Sequence, residues 1–112
     1  LTTGGTSLYG ASPAVWRTAT TAERAAIIDG YMADVVAEGT GTAADVTGVR
    51  VTGKTGTAEN ASGTDHAWFI GSAERNGRKI VMAILVEEGG FGGHTAAGIA
   101  HTVIQQYFEG LR

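Results

Sequence analysis

Val49-Arg50-Val51-Thr52-Gly53-Lys54-Thr55-Gly56-Thr57-Ala58-Glu59 is the stretch on which the reading of this chain turns. From Val49 to Lys54 apolar and polar residues alternate, the period of a strand with one buried face. That strand runs into a lysine, a hydroxyl, a glycine and a second hydroxyl. A cation and two hydroxyls in this order can hold an anionic ligand, with strand backbone groups within reach.

Downstream, Thr57–Asp65 reads as a polar loop. Ala67–Glu74 and Arg78–Glu87 then read as two strands joined at Asn76-Gly77, the strongest short hairpin signal. Gly89–Gly93 is a flexible glycine loop. Thr95–Gly110 reads as a closing helix with Ile99, Val103, Ile104, Tyr107 and Phe108 on its apolar side.

Upstream, Thr20–Glu38 reads as a helix, with Thr20 and Glu23 as its capping box. Ile28, Tyr31, Met32, Val35 and Val36 share one face at helical spacing. Gly39 suits a left-handed residue after the last turn. Residues 1–19 are rich in Gly, Thr and Ser, hold the only proline, Pro13, and read as an irregular segment at the cut end of a larger fold, anchored by Val15 and Trp16.

Helix, strand, hairpin and helix make an α+β fold, an antiparallel sheet packed by helices over residues 20–112. The strand Arg78–Glu87 is apolar on both faces and requires cover on both. Two helices of this size do not supply it, so the sheet is expected to belong to a larger domain.

Composition narrows the classes. Of the 112 residues 43% are apolar, enough for a core, and 17% are charged. A net charge of -3 with no basic cluster argues against nucleic acid as a partner. The chain has no cysteine, which removes disulfides and Cys-type zinc sites. His66, His94 and His101 lack ligand spacing, so no metal and no cofactor are expected. His66 is a candidate for the mouth of a cleft. The apolar run Ile80–Val86 is far too short to span a bilayer as a helix.

Gly48–Thr55 matches the phosphate-binding loop of NTPases letter for letter. That loop needs a strand before its first glycine and a helix starting at the Lys-Thr. The spacer here is itself strand-like, and the residues after Thr55 start a helix poorly.

Lys54-Thr55-Gly56-Thr57-Ala58-Glu59 resembles instead the Lys-Thr-Gly-Thr motif of penicillin-binding protein transpeptidases. His66-Ala67-Trp68-Phe69-Ile70-Gly71 resembles the strand that follows it there, where Ala-Trp-Phe-x-Gly recurs. Ile80–Glu87 is similar to the next strand, Val35–Thr42 to the segment before the motif strand, and Thr95–Phe108 to the C-terminal helix. The order and spacing match over about residues 20–110, closest to the monofunctional class B type.

The resemblance implies roles. Lys54 is a fixed charge that bonds the hydroxyl of the family's second motif and helps proton transfer. Thr55 and Thr57 offer hydroxyls to the terminal carboxylate of a D-Ala-D-Ala stem peptide or of a β-lactam. Gly56 lets an extended substrate lie along the strand edge. The Thr57 backbone amide is one of two oxyanion-hole donors.

Departures from the family pattern are equally informative. Its nucleophile sits in Ser-x-x-Lys, but Ser7, Ser12, Ser62 and Ser72 are followed three residues on by Gly, Val, Asp and Arg. Ser-x-Asn is absent as well. The nucleophile is therefore not expected in this chain, which reads as the C-terminal part of the domain and is inactive alone. The implied parent is a peptidoglycan transpeptidase on the extracytoplasmic face, held by an N-terminal membrane anchor upstream. A β-lactam sensor or β-lactamase is the alternative near this fold, and a non-catalytic binding fragment the alternative of another class. Trp68 is expected in the core and Phe69 toward the cleft side.

Overall fold

A computed structural model describes Thr2, Thr3, Thr6, Ser7, Ser12, residues 14–61 and residues 63–110. Two short strands, β1 (Thr2–Thr3) and β2 (Thr6–Ser7), pair antiparallel at the start, so the first segment is not wholly irregular. Pro13 lies outside the described residues. Val15 and Trp16 are not anchors: they are 86% and 94% exposed.

Helix α1 spans Ala22–Ala37. Its N-cap is Thr21, not Thr20, with Thr21 Oγ1 accepting from the Arg24 amide at 3.4 Å. Two adjacent threonines offer the same cap chemistry, and the helix register selects the second. Glu23 still serves the first turn. Its own backbone amide and then the Thr21 hydroxyl hold its carboxyl below the usual carboxylate range. Gly39 is not left-handed. It is small for another reason: a Cβ there would lie 2.9 Å from the Val35 Cα and carbonyl oxygen.

A single 3₁₀ turn, Thr42–Ala44, leads to the sheet of β3 (Arg50–Ala58), β4 (His66–Arg75) and β5 (Arg78–Val86). The order is β3-β4-β5, all antiparallel. The strand β3 does not stop at Lys54. It carries the whole Lys-Thr-Gly-Thr run, paired with β4 as far as Ala58↔His66. This removes the NTPase reading, since no helix starts at Lys54. Asn76 and Gly77 turn β4 into β5 with φ of 54° and 74°, the pair of positive values that the tightest hairpin turn requires. Helix α2 (Thr95–Glu109) closes the fold.

Register assigns the faces. Val51, Gly53, Thr55 and Thr57 stand on the same face as Ala73, Gly71, Phe69 and Ala67, and these stand beside Ile80, Met82, Ile84 and Val86. This is the core face, and α2 covers it with Ala96, Ala97, Ala100, Ile104 and Phe108. Its alanines let the helix sit close to the strands. Ile99, Val103 and Tyr107, expected on the inner side, form a second stripe on α2 and are exposed.

Phe69 is fully buried on the core face, whereas Trp68 faces the other way and is 37% exposed, the reverse of expectation. The reason is a notch. Gly53 and Gly71 pair directly across the two strands, and a Cβ on Gly53 would overlap the Phe69 ring. The bare backbone makes the space that the ring fills.

The second face carries Trp68, Ile70, Val81 and Leu85, all exposed to a large extent, and α1 leaves Ile27, Ile28 and Tyr31 exposed. Between α1 and this face runs a groove of about 550 Å³, lined by Met32, Ile70, Val81 and Met82 with Asp29 and Lys79 at its polar positions.

The notch makes a signed prediction for one substitution at two sites. Gly53→Ala forces a methyl into the Phe69 ring and is expected to cost about 1–3 kcal/mol. Gly98→Ala on α2 meets open space and should gain about 1 kcal/mol from helix propensity. Urea unfolding of both variants measures the two signs, and a neutral Gly53→Ala would remove the notch argument.

Candidate active site

The motif lies on β3, which has β4 on one side only, so its other edge is unpaired among the described residues. Strand geometry sends Lys54 and Gly56 to one face and Thr55 and Thr57 to the other. A ligand laid along the free edge therefore meets the lysine from one side and the threonines from the other.

Lys54 is exposed, and its Nζ donates to the Thr55 carbonyl at 2.6 Å. Among the described residues no carboxylate lies within ion-pair distance of it. Thr55 is buried, with its Oγ1 2.6 Å from Thr40 Oγ1. Thr57 is exposed, and its Oγ1 accepts from the Gly92 amide at 3.3 Å. Gly56 is half-buried. A Cβ there would come within 3.2 Å of the Trp68 Cβ, so the flat strand surface at this point depends on glycine.

Two loops flank the motif. One is the turn after α1, which is fastened by the Gly39 and Gly41 amides to the Val35 carbonyl and delivers Thr40. The other is the glycine loop between β5 and α2. It is not free: the Gly90 amide donates to the Asp65 carbonyl at 2.8 Å, and Thr95 Oγ1 donates to the Gly89 carbonyl at 2.8 Å. A Cβ on Gly92 would overlap the Gly56 carbonyl oxygen, so only glycine fits where this loop crosses the motif.

The first half of β3 is braced from the opposite face by α1. Arg50 donates to Asp29 at 2.6 Å, and the Thr52 hydroxyl lies 3.3 Å from Asp29 Oδ1 and 3.0 Å from Ser72 Oγ. Sequence reading missed Asp29, Thr40 and Gly92. None of them carries a local signal, because their partners are 21 or more, 15 and 35 positions away.

The histidines stand apart. His101 donates through Nδ1 to the Asp45 carbonyl at 2.6 Å and ties α2 to the 3₁₀ turn. His94 precedes α2 and is exposed. His66 Nδ1 accepts from the Glu88 amide at 3.0 Å, at the base of the glycine loop.

A lysine, two hydroxyls and a glycine thus lie along the open edge of an antiparallel sheet that is backed by a closing helix, in an α+β domain. The family model "Penicillin binding protein transpeptidase domain" matches residues 10–105, and the chain belongs to that family. A peptidoglycan D,D-transpeptidase of Mycobacterium tuberculosis is 40% identical over 76 residues, 58% of this chain and 15% of that protein. One from Mycolicibacterium smegmatis is 41% identical over 70 residues, 53% of this chain and 14% of that protein. The D,D-transpeptidase domain of a peptidoglycan glycosyltransferase from Eggerthella lenta superposes with a TM-score of 0.74 at 35% identity, covering 93% of this chain and 25% of that one. Penicillin-binding protein A of M. tuberculosis, solved as an imipenem acyl-enzyme complex, gives 0.66 at 34% identity, over 82% of this chain and 21% of that one. The chain thus spans about 15% of the length of these curated relatives.

The Asp29 brace predicts a pH dependence. The hydrogen bond from Arg50 is the main cause that holds the Asp29 carboxyl below its ordinary value. Desolvation opposes it, and the Arg50 charge, Thr52 and Lys79 assist. A carboxyl depressed in the folded state adds stability above its unfolded pKa, and that stability is lost as pH falls through the folded value. The pair is substantially exposed, so the effect is worth no more than roughly 1 kcal/mol. Asp29→Asn should remove that increment at neutral pH and flatten the fall in stability below about pH 4. Denaturant titrations at pH 7 and pH 3 check this.

Proposed function

We propose that this chain is the C-terminal part of the transpeptidase domain of a serine D,D-transpeptidase that cross-links peptidoglycan stem peptides and is acylated by β-lactams. Residues 20–112 form that part, and residues 1–19 lead into it. The observation that carries the reading is the donor array on the edge of β3: an exposed ammonium without a carboxylate partner among the described residues, next to the exposed hydroxyl of Thr57. Such an array suits a ligand that is both extended and anionic, as a peptide ending in D-Ala-D-Ala is.

In this reading Lys54 is the cation of the cleft and assists proton transfer in acylation. Thr57 gives its hydroxyl to the carboxylate and its amide to the oxyanion. Gly56 lets the substrate backbone approach the strand. Thr55 takes part through Thr40: when the Thr40 hydroxyl donates to Thr55 Oγ1, the Thr55 proton is freed for the same carboxylate. The acylated serine and its base lie outside these 112 residues, so the chain alone does not acylate. The chemistry is acyl transfer through serine and calls for no metal or cofactor.

The remainder of the domain is the partner we assign to the open face. Trp68, Ile70, Val81 and Leu85 on the sheet and Ile27, Ile28 and Tyr31 on α1 are a surface that water covers poorly. The matched solved domain, of which this chain covers only 25%, is large enough to supply that cover. Peptidoglycan substrates place the parent outside the cytoplasmic membrane, and an anchor would lie in sequence upstream.

Incubation of the full-length protein with penicillin, followed by intact-mass spectrometry and peptide mapping, tests the reading. One drug mass is expected, on a serine peptide outside residues 1–112. Lys54→Ala should slow its uptake by roughly 10²–10⁴-fold. An adduct within residues 1–112, or no adduct on the intact protein, would overturn the proposal.

A further inference from the structure

Among the described residues Glu88 is one of two non-glycine residues with positive φ, at 52°, an uncommon conformation for a glutamate. It sits in the turn that ends β5, closed by the Gly89 amide on the Val86 carbonyl at 3.2 Å, and its own amide is taken by His66. The Glu88 amide donates to His66 Nδ1 at 3.0 Å, across 22 positions of sequence. An imidazole nitrogen that accepts carries no proton, so the ring hydrogen sits on Nε2. The Asn60 side-chain amide lies 3.3 Å from Nε2 and 3.5 Å from Nδ1, so it stands against the ring on this side.

This bond fastens the start of the glycine loop to the start of β4, one residue from the Gly90 to Asp65 bond. Four residues beyond Glu88, the Gly92 amide donates to Thr57 Oγ1 at 3.3 Å. A hydroxyl has one proton and two lone pairs. With one lone pair taken by the Gly92 N–H, the proton of this exposed hydroxyl points away from Gly92.

We infer that His66 is a positioning residue of the transpeptidase site: it holds the 87–94 loop so that Gly92 orients the Thr57 hydroxyl as a donor to the ligand carboxylate. The inference rests on the transpeptidase reading for its ligand, but the latch itself is independent of that reading. The carboxylate is remote from the bond that breaks, so the contact is equally strong before and during acylation. Losing it weakens binding and leaves the chemical step alone.

The test uses the full-length protein and a carboxylate-bearing β-lactam, with the non-covalent dissociation constant and the acylation rate constant resolved by stopped flow. His66→Leu removes the acceptor. It should raise the dissociation constant roughly 3- to 10-fold, the worth of one hydrogen bond, with the acylation rate constant within about 2-fold. His66→Gln should do the same, because its oxygen lies beyond the Nδ1 position; it serves if the leucine variant does not fold. His66→Asn puts an oxygen where Nδ1 was and should restore wild-type binding. Amide hydrogen exchange at Glu88 and Gly92 should speed up in the leucine and glutamine variants and stay slow in the asparagine variant. An unchanged dissociation constant in the leucine and glutamine variants, an asparagine variant that behaves like them, or a loss confined to the acylation step overturns the inference. If the wild-type protein takes up no β-lactam, the transpeptidase reading fails instead, and exchange at Glu88 and Gly92 then decides the latch: no change sinks it.

Discussion

The seating of the Phe69 ring against the bare backbone of Gly53 and Gly71 is the constraint on which the rest depends. The ring is fully buried, a Cβ on Gly53 would overlap it, and one on Gly71 would lie 2.9 Å from its Cε1. Two glycines in adjacent strands cost conformational entropy and give up packing area. The ring restores the packing and fixes which face of β3 and β4 is the inner one. Once that is set, the pleat does the remaining work. Thr55 and Thr57 follow Gly53 onto the core face, Lys54 and Gly56 take the opposite one, and the motif straddles the strand edge. A one-residue slip would send every one of these side chains to the wrong side.

The same notch marks the limit of what the sequence disclosed. Alternation told that Trp68 and Phe69 face opposite ways, but not which of them faces in. The sequence reading expects Trp68 in the core, and the ring that faces in is Phe69. The deciding feature is a space made by two glycines, Gly53 and Gly71, 18 positions apart and paired across the strands, and no local pattern encodes it. The hairpin at Asn76-Gly77 was legible because its signal is local: two residues and their backbone angles. Both helices were legible for the same reason. The cap is Thr21 rather than Thr20, and on α2 Ile104 and Phe108 face the core as expected but with alanines beside them in place of Ile99, Val103 and Tyr107, because a helix register is settled by what it packs against. The motif residues were readable from a resemblance. Their partners Thr40, Asp29 and Gly92 were not, since each arrives from a different element.

Rigidity and reach are divided between the elements at the site. The sheet supplies fixed directions: paired on one side through nine residues, β3 holds its side chains in known relation. Its first half is braced through Asp29, Arg50, Thr52 and Ser72. The two loops supply hydrogen-bond partners that a strand cannot give itself. Each loop is pinned by backbone bonds of its own, to Val35 on one side and to Asp65 on the other. The glycines of these loops serve close approach, which explains why a glycine-rich stretch that reads as flexible is held at several points.

The hydrogen bonding of the threonines gives the site its sign. A hydroxyl is both donor and acceptor, and a bare pair of threonines would recognise a cation or an amide as readily as an anion. At Thr57 the protein spends an N–H on the oxygen, so what remains outward is the proton. At Lys54 the ammonium makes one bond to a carbonyl and retains two further donor positions. In the role we propose, the outward face of the motif is donor-rich, through the backbone amide hydrogen bond that Thr57 accepts from Gly92. An anion satisfies such a surface; a neutral ligand leaves the ammonium with no counter-charge. In the function we propose, the preference of the edge for an anion depends on Gly92 as well as on the residues whose names spell the motif.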